Sequence, residues 1–235
     1  MLPEDASFFQ PNEPYSVMGI RIPHWDQPGT MAFLTFRLKD SLPREAASRW
    51  RKQRDMLLRE NGIDPRKWDA AIRLRKASRR QDPVRELMRH LKPRAAALLQ
   101  WQLFQTWDAE LDGSHGGCVL RDRRAQKIIV EGLLKFDKDR YVVAAFVLMP
   151  NHVHVLAAFK EEGAVKLQGA AWRQYFAREI NATLTRSGHL WQPEQFDHLV
   201  RSPEAFVQLR RYIIDNPEKG RLKGGQYRLY VSADW

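Results

Sequence analysis

The sequence predicts an α+β protein, an antiparallel sheet with helices packed on it. The clearest sign is Tyr141 to Phe159, Tyr-Val-Val-Ala-Ala-Phe-Val-Leu-Met-Pro-Asn-His-Val-His-Val-Leu-Ala-Ala-Phe. Two apolar, β-branched runs flank Pro150-Asn151. Proline cannot donate to a strand ladder and asparagine tolerates turn geometry, so the pair marks a reversal between two strands. A second sign is Met31 to Leu38, which is rich in β-formers. The third is a set of long stretches whose apolar residues recur at steps of three and four, the helical period.

Taken in order, residues 1–30 are rich in Pro, Gly and Asn, carry neither period, and read as a loosely ordered arm with His24-Trp25 packed on the domain. After the first strand, Asp40-Ser41-Leu42-Pro43 offers helix caps. Arg44 to Asn61 sets Ala47, Trp50, Leu57 and Leu58 on one side, and Gly62 stops it. Pro65 opens a helix to Arg80, and Asp82-Pro83 opens another containing Leu87 and Leu91. Ala95 to Leu111 carries Leu98, Trp101, Phe104 and Trp107, and its aromatics read as core ahead of a base-stacking platform. Gly113 to Gly117 is a loop, and Asp122 to Phe136 a helix carrying Ile128, Ile129, Leu133 and Leu134.

Beyond the hairpin, Leu167 to Leu184 stripes Trp172, Phe176, Ile180 and Leu184 at steps of four. Leu190 to Pro193 and Phe196 to Val200 are short extended pieces. Ser202-Pro203-Glu204 combines a capping residue, a first-turn proline and a first-turn acid, so a helix starts there. It runs to Pro217, and Asn216 sits at its end because the residue before a proline avoids helical geometry. Tyr227 and Tyr230 belong to a last short strand.

The net charge is +11 and the isoelectric point about 10.0. That points to a polyanionic partner, nucleic acid ahead of an anionic membrane surface. Residues 44–94 hold 17 Lys or Arg against 7 Asp or Glu, so +10 of the +11 lies in this segment. Such runs are often solvated helix faces, but this imbalance exceeds what solubility needs and suggests contacts to a phosphate backbone. The candidates there are Arg49, Arg51, Lys52, Arg73, Arg75, Lys76, Arg79 and Arg80. Elsewhere Arg121, Arg173 and Arg211 join them, and Trp191 either stacks on an unpaired base or belongs to the core.

No apolar run approaches a membrane span, and the acidic N-terminus lacks the features of a secretory signal. The lone Cys118 forms no internal disulfide, which fits a reducing cytoplasm, and it excludes a zinc site of paired cysteines. The expected location is therefore the cytoplasm, at the nucleoid.

Side chains alternate along a strand, so His152 and His154 point the same way while Val153, Val155 and Ala157 face a core. Two imidazoles one strand step apart are either a pair of metal ligands or two polar residues facing solvent. Tyr212 and Asn216 lie four apart and share a helix face. If that face meets the histidines, two imidazoles and an amide oxygen suit Mg²⁺ or Mn²⁺ better than calcium. Tyr212 then attacks a phosphodiester polarised by the cation; otherwise it is a core tyrosine with a bonded hydroxyl.

Met149-Pro150-Asn151-His152-Val153-His154-Val155-Leu156 resembles the signature of the HUH tyrosine transposases, U being a bulky apolar residue. Gly188-His189-Leu190-Trp191-Gln192, then Phe196-Asp197-His198-Leu199-Val200-Arg201, then Tyr212-Ile213-Ile214-Asp215-Asn216-Pro217 resemble its REP-associated branch, in that branch's order. The resemblance implies a ferredoxin-like antiparallel sheet, the HUH nuclease fold, in one domain spanning residues 1–235. Residues 44–94 look like a basic helical insertion into it. The resemblance implies Tyr212 as nucleophile, His152 and His154 as ligands of Mg²⁺ or Mn²⁺, and Asn216 as third ligand, where related transposases often have Gln. It also implies single-stranded DNA with a hairpin as substrate, cut through a 5′-phosphotyrosine link. The competing reading is a domesticated protein that binds nucleic-acid hairpins without cutting them. Monomer and homodimer both remain open. The sequence contains no His-Glu-x-x-His pattern and no paired His-x-Ser/Thr motifs, which argues against a zinc protease or a two-histidine phosphoesterase.

Overall fold

The computed structural model describes residues 6–10, 13, 16–18, 24–75, 83–161, 164–193 and 196–234. Strands β1 (Ser16–Met18) and β2 (His24–Asp26) pair with each other near the N-terminus. The main sheet contains β3 (Met31–Arg37), β4 (Tyr141–Leu148), β5 (His152–Phe159), β6 (Phe196–Leu199) and β7 (Arg228–Val231). It is antiparallel throughout, in the order β6-β3-β5-β4-β7. Between β3 and β4 run α1 (Arg44–Glu60), α2 (Pro65–Arg75), α3 (Pro83–Leu87), α4 (Pro93–Asp112) and α5 (Arg123–Leu134). Helix α6 (Ala164–Thr183) joins β5 to β6, and α7 (Pro203–Lys219) joins β6 to β7. Without β7, the strand order and the helical crossovers are those of a ferredoxin-like sheet.

The sheet is buried on both faces. On one, Leu34, Phe36, Val153, Val155 and Ala157 pack against Ile129 and Leu133 of α5 and Trp172, Phe176 and Ile180 of α6. On the other, Met31, Phe33, Val147 and Leu156 pack against Phe206, Leu209, Tyr212 and Ile213 of α7. The register of β4 on β5 shifts between Val143 and Ala145. This bulge restarts the alternation, so Val143 and Phe146 both reach the first core while Ala144 and Ala145 both reach the second.

The basic segment has a core of its own: Leu58, Ile63, Trp68, Ala71, Val84 and Met88 gather around Leu99 of α4. Farther along α4, Trp101 and Phe104 pack on the second sheet face. One long helix thus ties the basic segment to the sheet. Among the described residues no helix is long and apolar enough to cross a membrane.

Three expectations are corrected. The described part of the N-terminal arm is built into the fold: β1 and β2 pair, Phe9 is buried in the first core, and its N–H donates to the Val200 carbonyl at 2.8 Å. Its missing period reflects strands of three residues, too short to show alternation. Helix α3 covers only Pro83–Leu87, and Leu91 lies beyond it, because Pro93 starts α4 immediately afterwards. Helix α7 passes through Pro217 to Lys219. The proline sits in the last turn, where it removes a single backbone donor. The expected end of α2 at Arg80 lies outside the described residues.

Candidate functional site

Strand alternation places His152 and His154 together on the second face, their ring centroids 4.7 Å apart. Helix α4 brings Asp108 to them. One nitrogen of each imidazole and a carboxylate oxygen of Asp108 all lie within 4.8 Å of one another, and all three residues are buried. Asp108 Oδ1 is 3.3 Å from His154 Nε2 without forming a hydrogen bond.

The outer ring nitrogens are held from behind. His152 Nδ1 bonds Asn151 Oδ1 at 2.8 Å. The Asn151 amide is oriented by its NH₂ group, which donates to the Leu111 carbonyl at 3.0 Å and the His115 carbonyl at 3.3 Å. Its oxygen can only accept, so Nδ1 of neutral His152 carries the proton and Nε2 keeps its lone pair. Thr35 Oγ1 on β3 bonds His154 Nδ1 at 2.9 Å. Second partners of this kind orient metal-binding histidines.

The inner atoms have no such partners. His152 Nε2, His154 Nε2, both Asp108 oxygens and both side-chain atoms of Asn216 are buried without hydrogen bonds. Buried polar atoms are rarely left unpaired, and here several acceptors converge. Two imidazole lone pairs, a carboxylate and an amide oxygen make a donor set that could hold a divalent cation. Burial pushes His152 down to about 3, with His154 and Arg37 acting the same way and Asp108 opposing, so its imidazole is neutral at ordinary pH. Burial pushes Asp108 up, but the attraction of His154, His152 and Arg37 outweighs it and its carboxyl ends below the usual range.

Helix α7 supplies the other wall. The ring centroid of Tyr212 is 5.6 Å from that of His154, and Phe33, Trp101 and Phe104 surround it at 5.7–6.1 Å. Tyr212 is 7% exposed, and Lys219 Nζ lies 4.3 Å from its ring centroid. One turn below, Asn216 acts on His152 through a side-chain contact. The structure therefore brings Tyr212, His152, His154 and Asn216 to one place.

No protein-family model matches the chain, and no curated protein matches it. A solved structure of a REP-associated tyrosine transposase bound to a REP hairpin is similar over 83% of this chain and 71% of its own, with 15% identity and a TM-score of 0.39. At that TM-score the likeness carries no conclusion about this chain.

The expected nucleic-acid contacts scatter over the molecule. Arg51, Lys52 and Arg73 are exposed on the basic segment, and Arg121 is exposed before α5. Arg49 is held by Glu110 of α4 at 2.8 Å, and Arg211 lies 3.4 Å from Asp215 one turn on. Arg173 donates to the carbonyls of Gln192 at 3.3 Å and Pro193 at 2.7 Å. Lys76, Arg79 and Arg80 lie outside the described residues, as does the side chain of Arg75. Trp191 is corrected to the core alternative: it is 6% exposed and packs on Phe36 at 6.3 Å, so no ring face is free for a base.

The missed residue is Asp108. Trp101, Phe104, Asp108 and Leu111 follow steps of three, four and three, so an acid occupies a position on the buried stripe of α4. That break in the apolar pattern was the available signal. Asp112, one turn on, is raised to about 7 by burial and then by the charge of Asp108, against Lys219.

Proposed function

We propose that this chain is a metal-dependent single-strand DNA endonuclease and strand transferase, a member of the REP-associated branch of the HUH tyrosine transposases. The observation that carries the reading is the approach of Tyr212 on α7 to His154 on β5, ring centroids 5.6 Å apart, beside the orphaned acceptors. The order of the motifs quoted above supports it as well. His152, His154, Asp108 and Asn216 would hold Mg²⁺ or Mn²⁺, which supplies Lewis-acid stabilisation of charge on a phosphodiester. The Tyr212 oxygen attacks phosphorus and loses its proton, the P–O3′ bond breaks, and the 3′ oxygen takes up a proton. The new phosphotyrosine keeps the energy of the broken bond, so the strand can be rejoined elsewhere. Arg51, Lys52 and Arg73 would contact the backbone of single-stranded DNA near a hairpin, without reading its sequence.

The test is incubation of the protein with labelled single-stranded hairpin DNA and Mn²⁺, followed by denaturing electrophoresis. A covalent protein–DNA adduct is expected, lost with EDTA and lost in Tyr212→Phe. An adduct that persists in that variant excludes Tyr212 as nucleophile.

A second reading is favoured by the burial of His152, His154 and Asn216. A sealed cation would then staple α4 to the sheet in a protein that only binds nucleic-acid hairpins. In that case the protein leaves the DNA intact with Mn²⁺ present.

A further inference from the structure

Arg37 is the last residue of β3 and stands opposite His152 in the sheet register. Alternation puts it on the face of Thr35, which holds His154. The side chain is 8% exposed. Its guanidinium carbon is 4.7 Å from the ring centroid of Trp107, one residue before Asp108. Nε is buried with no hydrogen-bond partner. Burial lowers its pKa to about 10, with Asp108 opposing, so it is a cation at neutral pH.

An arginine this deep ordinarily meets a carboxylate that satisfies its fork of donors. Arg54 of the same chain does so, holding Asp55 at 2.6 Å and Asp69 at 2.8 Å. Arg37 has the stacking contact with Trp107 and the field of Asp108, but no ion pair within 4.0 Å among the described residues. Asp108 is also the single carboxylate of the candidate metal cluster. With a divalent cation bound, Asp108 and Asp112 one turn on would face the cation, Arg37 and Lys219, and positive charge would still exceed negative in a buried space. Water is largely excluded there, so the imbalance calls for an anionic ligand.

We propose that Arg37 is an anion-binding residue of this site, and that its guanidinium takes a non-bridging oxygen of the DNA phosphodiester lying between the cation and Tyr212. The identity of the anion as a phosphodiester rests on the proposed function; the anion site itself rests on the buried, unpartnered Nε of Arg37 and the absence of an ion pair to it among the described residues. The planar fork suits two phosphate oxygens, so lysine is a poor substitute. Trp107 stacks on the fork and keeps it aimed.

The test compares wild type, Arg37→Gln and Arg37→Lys, each full length. The first readout is independent of catalysis: broadening of the ³¹P resonance of inorganic phosphate by the Mn²⁺-loaded protein. Wild type broadens the line at low phosphate concentration, Arg37→Gln does not, and Arg37→Lys does so weakly, while Mn²⁺ affinity stays the same in all three. The second readout is the single-turnover rate of adduct formation on hairpin DNA, expected to fall about 100–1000-fold in Arg37→Gln and to recover little in Arg37→Lys. Phosphate broadening equal to wild type in Arg37→Gln overturns the anion site. Loss of Mn²⁺ binding in both variants also overturns it, because Arg37 would then support the metal cluster alone. If wild type forms no adduct but shows Arg37-dependent broadening, the strand-transfer reading fails and the anion site stands.

Discussion

Asp108 Oδ1 stands 3.3 Å from His154 Nε2, and neither atom is hydrogen bonded although both are buried. A carboxylate and an imidazole at that separation, with a second imidazole alongside, are what a shared cation would join. Asp108→Ala is expected to lower Mn²⁺ affinity by more than the roughly 10–100-fold that loss of an outer partner costs. Titration calorimetry reads the change. Unaltered affinity would remove Asp108 from the ligand set.

Thr35 gives a second prediction, since its hydroxyl holds the outer nitrogen of His154 at 2.9 Å. Thr35→Val keeps the shape and deletes the bond. Mn²⁺ affinity should drop about 10–100-fold, and the metal-free protein should lose about 1–3 kcal/mol from the unsatisfied buried nitrogen. Calorimetry and urea unfolding in EDTA separate the two effects.

Asp112 predicts a pH dependence. Its folded value of about 7 lies above that of an unfolded aspartate. The native chain therefore holds a proton that the unfolded chain has lost between pH of about 4 and 7. The associated stability is complete below about pH 4 and is lost as the pH rises through 7. In EDTA, Asp112→Asn should be more stable than wild type at pH 8, and the difference should shrink toward pH 4. Urea melts at both pH values check it, and a difference independent of pH would contradict it.

Gly132 tests the packing behind the sheet. A Cβ added there would lie 2.6 Å from Cε1 of Phe176 and 3.1 Å from Cε1 of Tyr175. Alanine gains about 1 kcal/mol of helix propensity, but overpacking a buried ring costs about 1–3 kcal/mol. Gly132→Ala should be neutral to about 2 kcal/mol less stable in urea. A stabilised variant would mean that α5 and α6 have room to part.

Much of the layout was legible in the residues. The Pro150-Asn151 reversal, the helix start at Ser202-Pro203 and the Trp172-Phe176-Ile180 stripe follow from rules acting over a few residues, and each element lies where those rules put it. The short strands β1 and β2 were not legible, because three residues give no period and their partner lies across a loop. Asp108 was passed over because an aromatic helix reads as core, and one acid among Trp101, Phe104 and Leu111 looks like an ordinary interruption. Arg37 was hidden similarly: a lone arginine ending a strand resembles any exposed edge residue until its burial is known.

The sequence by itself determined the faces. Strand alternation put His152 and His154 on one side, and helical spacing put Tyr212 and Asn216 on another single side. It also determined the charge, since +10 of +11 lies in residues 44–94. Only the tertiary structure decided that these two sides meet, that α4 lays Asp108 beside the two histidines, and that Arg37 lies buried near them with an unpaired Nε. The reason is physical: periodicity is a property of neighbours in the chain, whereas a site of converging acceptors depends on how remote helices pack on a sheet, and that packing is settled by the whole core at once.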